Sequence, residues 1–386
     1  MTRALIVNHP RAALSVYHRQ TTVFRYLENN NQAEYRLVDY FVTLADFEKD
    51  IAPSIADFNY EFIIFTRDFP IAELPEKVKA YFHNKGVKIV LDLDEPWRGP
   101  NNTMYMSDAA TVLEYANNSD RIIVGNRKLG DLIGPPGARC SYIPTVIEQE
   151  FTPKDMRKQK VVAMVSACPL VSDFSTLVNI YPSYKLEPFP KVKFGFYGYT
   201  KEDYCAVAAN AIEAAMSANL FEVSDYAKSL LMDKNVFASA QDPVWRHIES
   251  RLYEEPYIRI WKQAPELHLQ GYQKIDIALF PIREELSYQG MSVTRLIECN
   301  ATRTNFIAAN YNSYREFFLL FKIKNGLTRA NGKIIDWCKA INTLLTNEDF
   351  KAEQSGRLKE ACDKYFTMEQ WSQKKMDTLQ KTTING

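Results

Sequence analysis

Short unbroken apolar runs, rich in β-branched and aromatic residues, alternate along the chain with longer stretches whose apolar positions recur at helical spacing. That alternation predicts parallel α/β layers. Residues 4–7, 36–41, 62–65, 88–91 and 121–124 read as strands in the first half, with helices over 19–28 and 73–84 between them. None of these runs alternates apolar with polar side chains, so helices should cover both faces of the sheet. At 143–160 the composition turns charged and punctuated by proline, which marks a linker, and a second series of strands follows at 161–165, 192–197, 275–280 and 305–308. Residues 199–255 are helix-prone without a convincing strand, and the chain closes on an expected helix over 356–379 whose Tyr365, Phe366 and Trp371 suit docking on a domain surface. The pattern therefore predicts a first domain over 1–150 and a second over 160–355 with a helical insertion at about 200–255. A terminal segment over 356–386 is expected to pack back on the first domain.

Composition narrows the class of partner. The 386 residues exceed what one core organises, and 46% hydrophobic with 24% charged residues leaves little room for long disordered tracts. Lys plus Arg equals Asp plus Glu at 47 each, so no global positive field advertises a polyanion, although a basic groove can sit inside a neutral total. Six scattered cysteines with no CxxC read as reduced, packed thiols rather than a zinc site. The apolar run before Pro10 and Arg11 is too short for a signal-peptide core, and no stretch approaches the ~20 apolar residues that span a bilayer. A cytoplasmic location is expected.

Two segments concentrate chemistry. In 276–314, which reads strand, loop, helix, strand, Ser292 is placed as N-cap, with Arg295 in the first helical turn and Glu298 one turn along the same face. An arginine there opposes the helix dipole, and an anion would relieve the conflict. A diphosphate at the helix N-terminus satisfies the guanidinium, while a carboxylate one turn deeper accepts both hydroxyls of a ribose. An ordinary i,i+3 surface pair is the competing reading. The second segment, 86–97, sets Asp92, Asp94 and Glu95 at the C-terminal end of a parallel strand, the edge where open α/β sheets place ligands. A carboxylate there suits a base for an acceptor hydroxyl; Asp92 and Asp94 as a DxD metal site, or Asp94 as a cap of the next turn, are the alternatives. His9, Arg11, His18, Arg19, Arg67 and Arg98 fall near the same edge as candidate acceptor or phosphate contacts, and Trp97 as a stacking platform.

The run SVTRLIE at 292–298, with DIALFPI before it and NFIAANYNSY after it, resembles the donor-site segment of GT-B glycosyltransferases. The resemblance implies that Arg295 meets the donor diphosphate and Glu298 the ribose. Many retaining members carry a glutamate eight positions before this one, where this chain has Gly290. VVAMVSACPLVSDF at 161–174 resembles the first strand and phosphate loop of the C-terminal domain; its usual glycines are missing, and Ser166 and Ser172 stand as donors instead. VKFGFYG, RIIVGNRKLGDLI and YIPTVIEQEF resemble further pieces in the same order. The implied fold is α/β, with two Rossmann-like doubly wound domains facing a central cleft. The implied activity is metal-independent transfer of a sugar from a nucleotide-diphosphate sugar, with no permanently bound cofactor and with Asp94 or Asp92 as base if the enzyme inverts. The acidic strand end is also similar to the position of the catalytic aspartate in phage DNA glucosyltransferases, which implies hydroxymethylated pyrimidine in duplex DNA as an acceptor. A cell-envelope glycan or lipid-linked sugar is the rival acceptor, and a nucleotide-sugar-binding module without turnover or a donor-using epimerase is the rival function.

Overall fold

The computed structural model describes residues 1–8, 13–67, 69–70, 72–94, 109–133, 139–147, 160–165, 180, 183–197, 257–260, 263–281, 292–323 and 333–384. Contacts group the chain into two units: Met1–Gln149 with Glu284–Glu298 and Leu358–Gly386, and Glu150–Arg283 with Cys299–Arg357. The insertion expected at about 200–255 lies outside the described residues.

The first unit is built on a six-stranded sheet of β1 (Thr2–Asn8), β2 (Ala33–Asp39), β3 (Phe62–Thr66), β4 (Lys88–Leu93), β5 (Arg121–Val124) and β6 (Cys140–Tyr142), in the order β2-β1-β3-β4-β5-β6. Every pairing is parallel. All five side chains of β3 are buried, as the absence of alternation in FIIFT requires of a strand covered on both faces. One face is filled by Phe47, Phe65, Phe69 and Phe82, whose rings meet mostly at tilted or edge-on angles. The direction of winding reverses between β1 and β3, so the crevice at the C-terminal ends of those strands is the place where this layout receives ligands.

The second unit holds β7 (Lys160–Val165), β8 (Val192–Tyr197), β9 (Tyr257–Ile260), β10 (Ile277–Phe280) and β11 (Asn305–Ala308), all parallel, in the order β11-β10-β7-β8-β9. Its reversal falls between β7 and β10. Tyr197 ends β8 fully buried, with its hydroxyl 3.0 Å from His268 Nδ1. Gly271 leaves the room this requires, since a Cβ there would lie 2.1 Å from the Tyr197 ring.

Four departures from the sequence expectation have local causes. β2 starts at Ala33 because it pairs along its whole length with β1, from Thr2 opposite Ala33 to Asn8 opposite Asp39. The short edge strand β6 carries no apolar run and is held by backbone bonds from Ile122 N–H to Arg139 O and from Ile143 N–H to Val124 O. The first helix is interrupted by a π turn over Tyr17–Thr21, which turns the consecutive polar residues His18, Arg19 and Gln20 inward. The expected terminal helix is two helices, Glu348–Tyr365 and Met368–Gln380, because Thr367 takes an N-cap position and its hydroxyl accepts from Gln370 N–H.

Candidate functional site

The end of β4 carries the acidic residues singled out in the sequence, and the structure gives them different surroundings. Asp92 is wholly buried and accepts from Arg19 Nε at 2.7 Å and Gln20 Nε2 at 2.7 Å, while Arg19 Nη2 lies 2.6 Å away and Lys375 Nζ 3.5 Å away. Arg19 also donates to Thr145 Oγ1 at 3.2 Å, and Lys375 to Arg19 O at 2.6 Å and to Gln20 Oε1. One carboxylate thus gathers the π turn, the segment after β6 and the last helix around the end of β4. Burial lowers the Lys375 ammonium, Asp92 opposes the shift and the second cation, Arg19, adds to it, and together they leave it at about 8. Arg19 lies against Gly125, where a Cβ would come within 2.9 Å of its Nη1. The Asp92 carboxylate is thus withdrawn from solvent and enclosed by cations, surroundings that favour a structural part for it over the base and DxD readings. Arg19, 3% exposed, is equally withdrawn from an acceptor phosphate.

Asp94 stands just past the strand, 7% exposed, and accepts a hydrogen bond from Ser15 Oγ. Its backbone adjoins Gly125, whose N–H donates to Leu93 O at 2.8 Å. Arg67 follows β3 on the same edge with φ of 79°, a conformation costly for a residue with a side chain, and its N–H donates to Asp92 O at 3.0 Å. His18 is buried with its ring edge-on to Tyr17, 5.3 Å between centroids. Of the remaining candidates on this edge, His9, Arg11, Glu95, Trp97 and Arg98 lie outside the described residues.

In the other candidate segment the helix Thr294–Ala301 connects β10 to β11. Ser292 Oγ accepts from Thr294 N–H at 3.1 Å, so its hydroxyl caps the helix from just outside the first turn. Arg295 is half-buried and Glu298, one turn on, is 3% exposed. Because β10 flanks the reversal of the second sheet, the helix start follows from the topology to lie at the ligand-receiving edge. Ser166 and Ser172, which follow the other flanking strand, lie outside the described residues. Among the described residues, no group of three or more His, Cys, Asp or Glu is placed to hold a metal, and no helix is long and apolar enough to cross a membrane. A recess of about 480 Å³ beside β2, lined by Asp39, Val42, Asp46 and Asp50 among others, holds none of the expected site residues.

Ser15, Gln20, Thr145 and Lys375 escaped the sequence reading. Lys375 had a signal: it shares the stripe 372, 375, 376 and 379 with Ser372, Met376 and Leu379, all buried, and a lysine on such a stripe needs a buried partner. Ser15 had none, since a serine ahead of a helical stretch is ordinary.

No protein-family model matches the chain, and no curated protein matches it in sequence. Solved structures do match in shape. A glycosyltransferase from Rickettsia africae superposes with a TM-score of 0.60 at 12% identity, covering 98% of this chain and 99% of that one. The chain has the GT-B fold. Two further GT-B structures extend the likeness. An E. coli protein of trehalose-6-phosphate synthesis bound to UDP-2-fluoro glucose gives a TM-score of 0.57 at 11% identity, over 99% of this chain and 100% of that one. S. aureus TarM, in complex with UDP and α-GlcNAc-glycerol, gives 0.51 at 14% identity, over 84% of this chain. The chain spans 55% of the length of TarM.

Proposed function

We propose that this GT-B chain is a glycosyltransferase that takes a sugar from a nucleotide-diphosphate donor and delivers it to an acceptor hydroxyl. The observation that carries the reading is the pair on the helix after β10: a half-buried Arg295 in its first turn and a buried Glu298 one turn deeper, at the switch point of the second sheet. Arg295 binds the diphosphate and Glu298 the ribose, with Ser292, Ser166 and Ser172 as further donors. UDP is the natural first nucleotide to test, since two of the GT-B neighbours were captured with UDP or a UDP-sugar. Residues 1–150 serve the acceptor and 160–355, with the insertion, the donor.

Asp94 is the base in this reading, with Ser15 holding its carboxylate, and Asp92 organises the strand end beneath it. Transfer needs no metal and no resident cofactor, so activity should persist in EDTA. Hydroxymethylcytosine in duplex DNA and a glycan are the acceptors to set against each other.

The test is calorimetric titration with UDP and UDP-sugars. Arg295→Ala and Glu298→Ala should each weaken binding, the former by ~1.5–3 kcal/mol for a lost charged hydrogen bond. Unchanged affinity in both would overturn the donor assignment. Asp94→Asn should leave donor affinity intact and lower transfer of labelled sugar by ~100-fold or more.

A further inference from the structure

At the margin of the first sheet two cations converge on one pair of rings. Tyr142 ends the edge strand β6, and Arg127 opens the helix that follows β5, so both lie on the C-terminal edge of the parallel sheet. Trp371 comes from the last helix and meets Tyr142 edge-on, 5.6 Å between centroids at 77°. Arg127 lies 5.6 Å from the Tyr142 ring, while Lys374 lies 5.8 Å from that ring and 4.6 Å from Trp371. Both cations are exposed, and neither forms an ion pair among the described residues. Some other cations of this unit do: Arg3 with Glu34, Arg36 with Asp57 and Lys85 with Glu48.

We propose that Arg127 and Lys374, mounted on the Tyr142–Trp371 pair, form a binding site for a phosphate group carried by a water-soluble acceptor. The proposal rests on the reading that the first unit serves the acceptor. Two like charges held over the same ring repel, and a dianion between them removes the repulsion and gains from both. A guanidinium offers paired donors matched to phosphate oxygens, and the lysine adds a point charge. Partial burial and the neighbouring Arg127 hold Lys374 below the ordinary lysine value, which agrees with a cationic spot that has no ion-pair partner among the described residues. The platform is rigid before any ligand arrives: Trp371 Nε1 donates to Tyr365 O at 2.6 Å, and the adjacent Lys375 is fixed in the buried network around Asp92. Rigid aromatic and cationic groups lose little entropy on binding.

The experiment titrates the intact chain with inorganic pyrophosphate in the presence of saturating UDP, and repeats it with Arg127→Gln and Lys374→Gln. Each substitution should weaken pyrophosphate binding about tenfold, in line with loss of one charged hydrogen bond, and leave the melting temperature unchanged because both side chains are exposed. Added salt should weaken binding to the unaltered chain more than to either variant. Equal pyrophosphate affinity in all three proteins overturns the proposal. A parallel arm uses vesicles containing phosphatidic acid: binding of the chain to vesicles, lost in the variants, with no binding of pyrophosphate, overturns the soluble source. UDP affinity measured on the same samples separates this outcome from failure of the donor assignment, which depends on Arg295 and Glu298 and not on these residues.

Discussion

Lys375 is 1% exposed and shares the carboxylate of Asp92 with a second cation, Arg19. Because Arg19 alone neutralises Asp92, the lysine proton is held weakly, and burial brings its pKa from 10.5 to about 8. In the window between those values the unfolded chain keeps a proton that the folded chain has released, so stability rises with pH. Below the window both states are protonated and the penalty of a buried charge stands in full; above it the gain is complete. Lys375→Met removes the titration. The melting temperature of the unaltered chain should therefore gain on that of the variant between about pH 7.5 and about pH 10, and a flat or falling difference would refute the network as described. Asp92→Asn leaves two buried cations uncompensated and should cost ~3–5 kcal/mol of stability, whatever it does to turnover. At this scale the sequence placed Asp94 and Arg67 just past parallel strands, and Arg295 and Glu298 one turn apart on the helix after β10, as the structure has them. The pairing of Asp92 with Arg19 was not legible, since nothing local to either tells that they face each other across 73 positions.

Elements were legible wherever the chain is buried on both sides. The strand FIIF hides all its side chains and RIIV hides its three apolar ones, whereas CSY of β6 and YIRI of β9 owe their strand character to the neighbour they pair with. The π turn and the break at Thr367 were missed for a different reason: each shifts the helical phase by a residue or two, which a periodicity averaged over a turn does not resolve. Glycine illustrates how far context overrides propensity. Gly356 lies within the helix Glu348–Tyr365 and a Cβ there meets nothing within 4 Å, so Gly356→Ala should stabilise by ~0.5–1 kcal/mol through backbone entropy alone. Gly271 lies within the helix His268–Tyr272, and the same substitution drives a methyl into the Tyr197 ring. Overpacking of that kind costs ~1–3 kcal/mol or more, which exceeds the helix-propensity gain of ~1 kcal/mol. Urea unfolding of the two variants should move in opposite directions; a gain in both would mean that Tyr197 yields its place, and a loss in both that Gly356 is held by something besides its own backbone.

Across the whole molecule, the two sheet orders account for the distribution of candidate residues. The first reverses between β1 and β3 and the second between β7 and β10, and the segments singled out for chemistry follow these strands or, in the case of β4, their neighbour. The likeness to GT-B structures at 11–14% identity is a likeness of fold, carried by two parallel sheets with flanking helices. The first unit is also built from later parts of the chain, since residues 284–298 and 358–386 both group with 1–149. Its last helix buries Ser372, Lys375, Met376 and Leu379, lays Lys375 over the Phe24 ring at 5.6 Å, and is followed by Thr382, whose hydroxyl accepts from Arg121 Nε at 3.3 Å. This segment is therefore part of the first unit's core rather than an appendage. Losing one large buried apolar side chain costs ~2–5 kcal/mol, and Met376 and Leu379 together approach the ~5–15 kcal/mol that holds an ordinary domain folded. A chain ending at residue 367 should accordingly lose protection from proteolysis at β1 to β5 while β7, β8 and β10 stay as resistant as before, because the terminal helix groups with the first unit and these strands with the second. Peptide mapping by mass over a time course reads the two halves separately. Undiminished resistance of 1–149 would show the terminal helix to be dispensable, and equal loss in both halves would show that the two units fold as one.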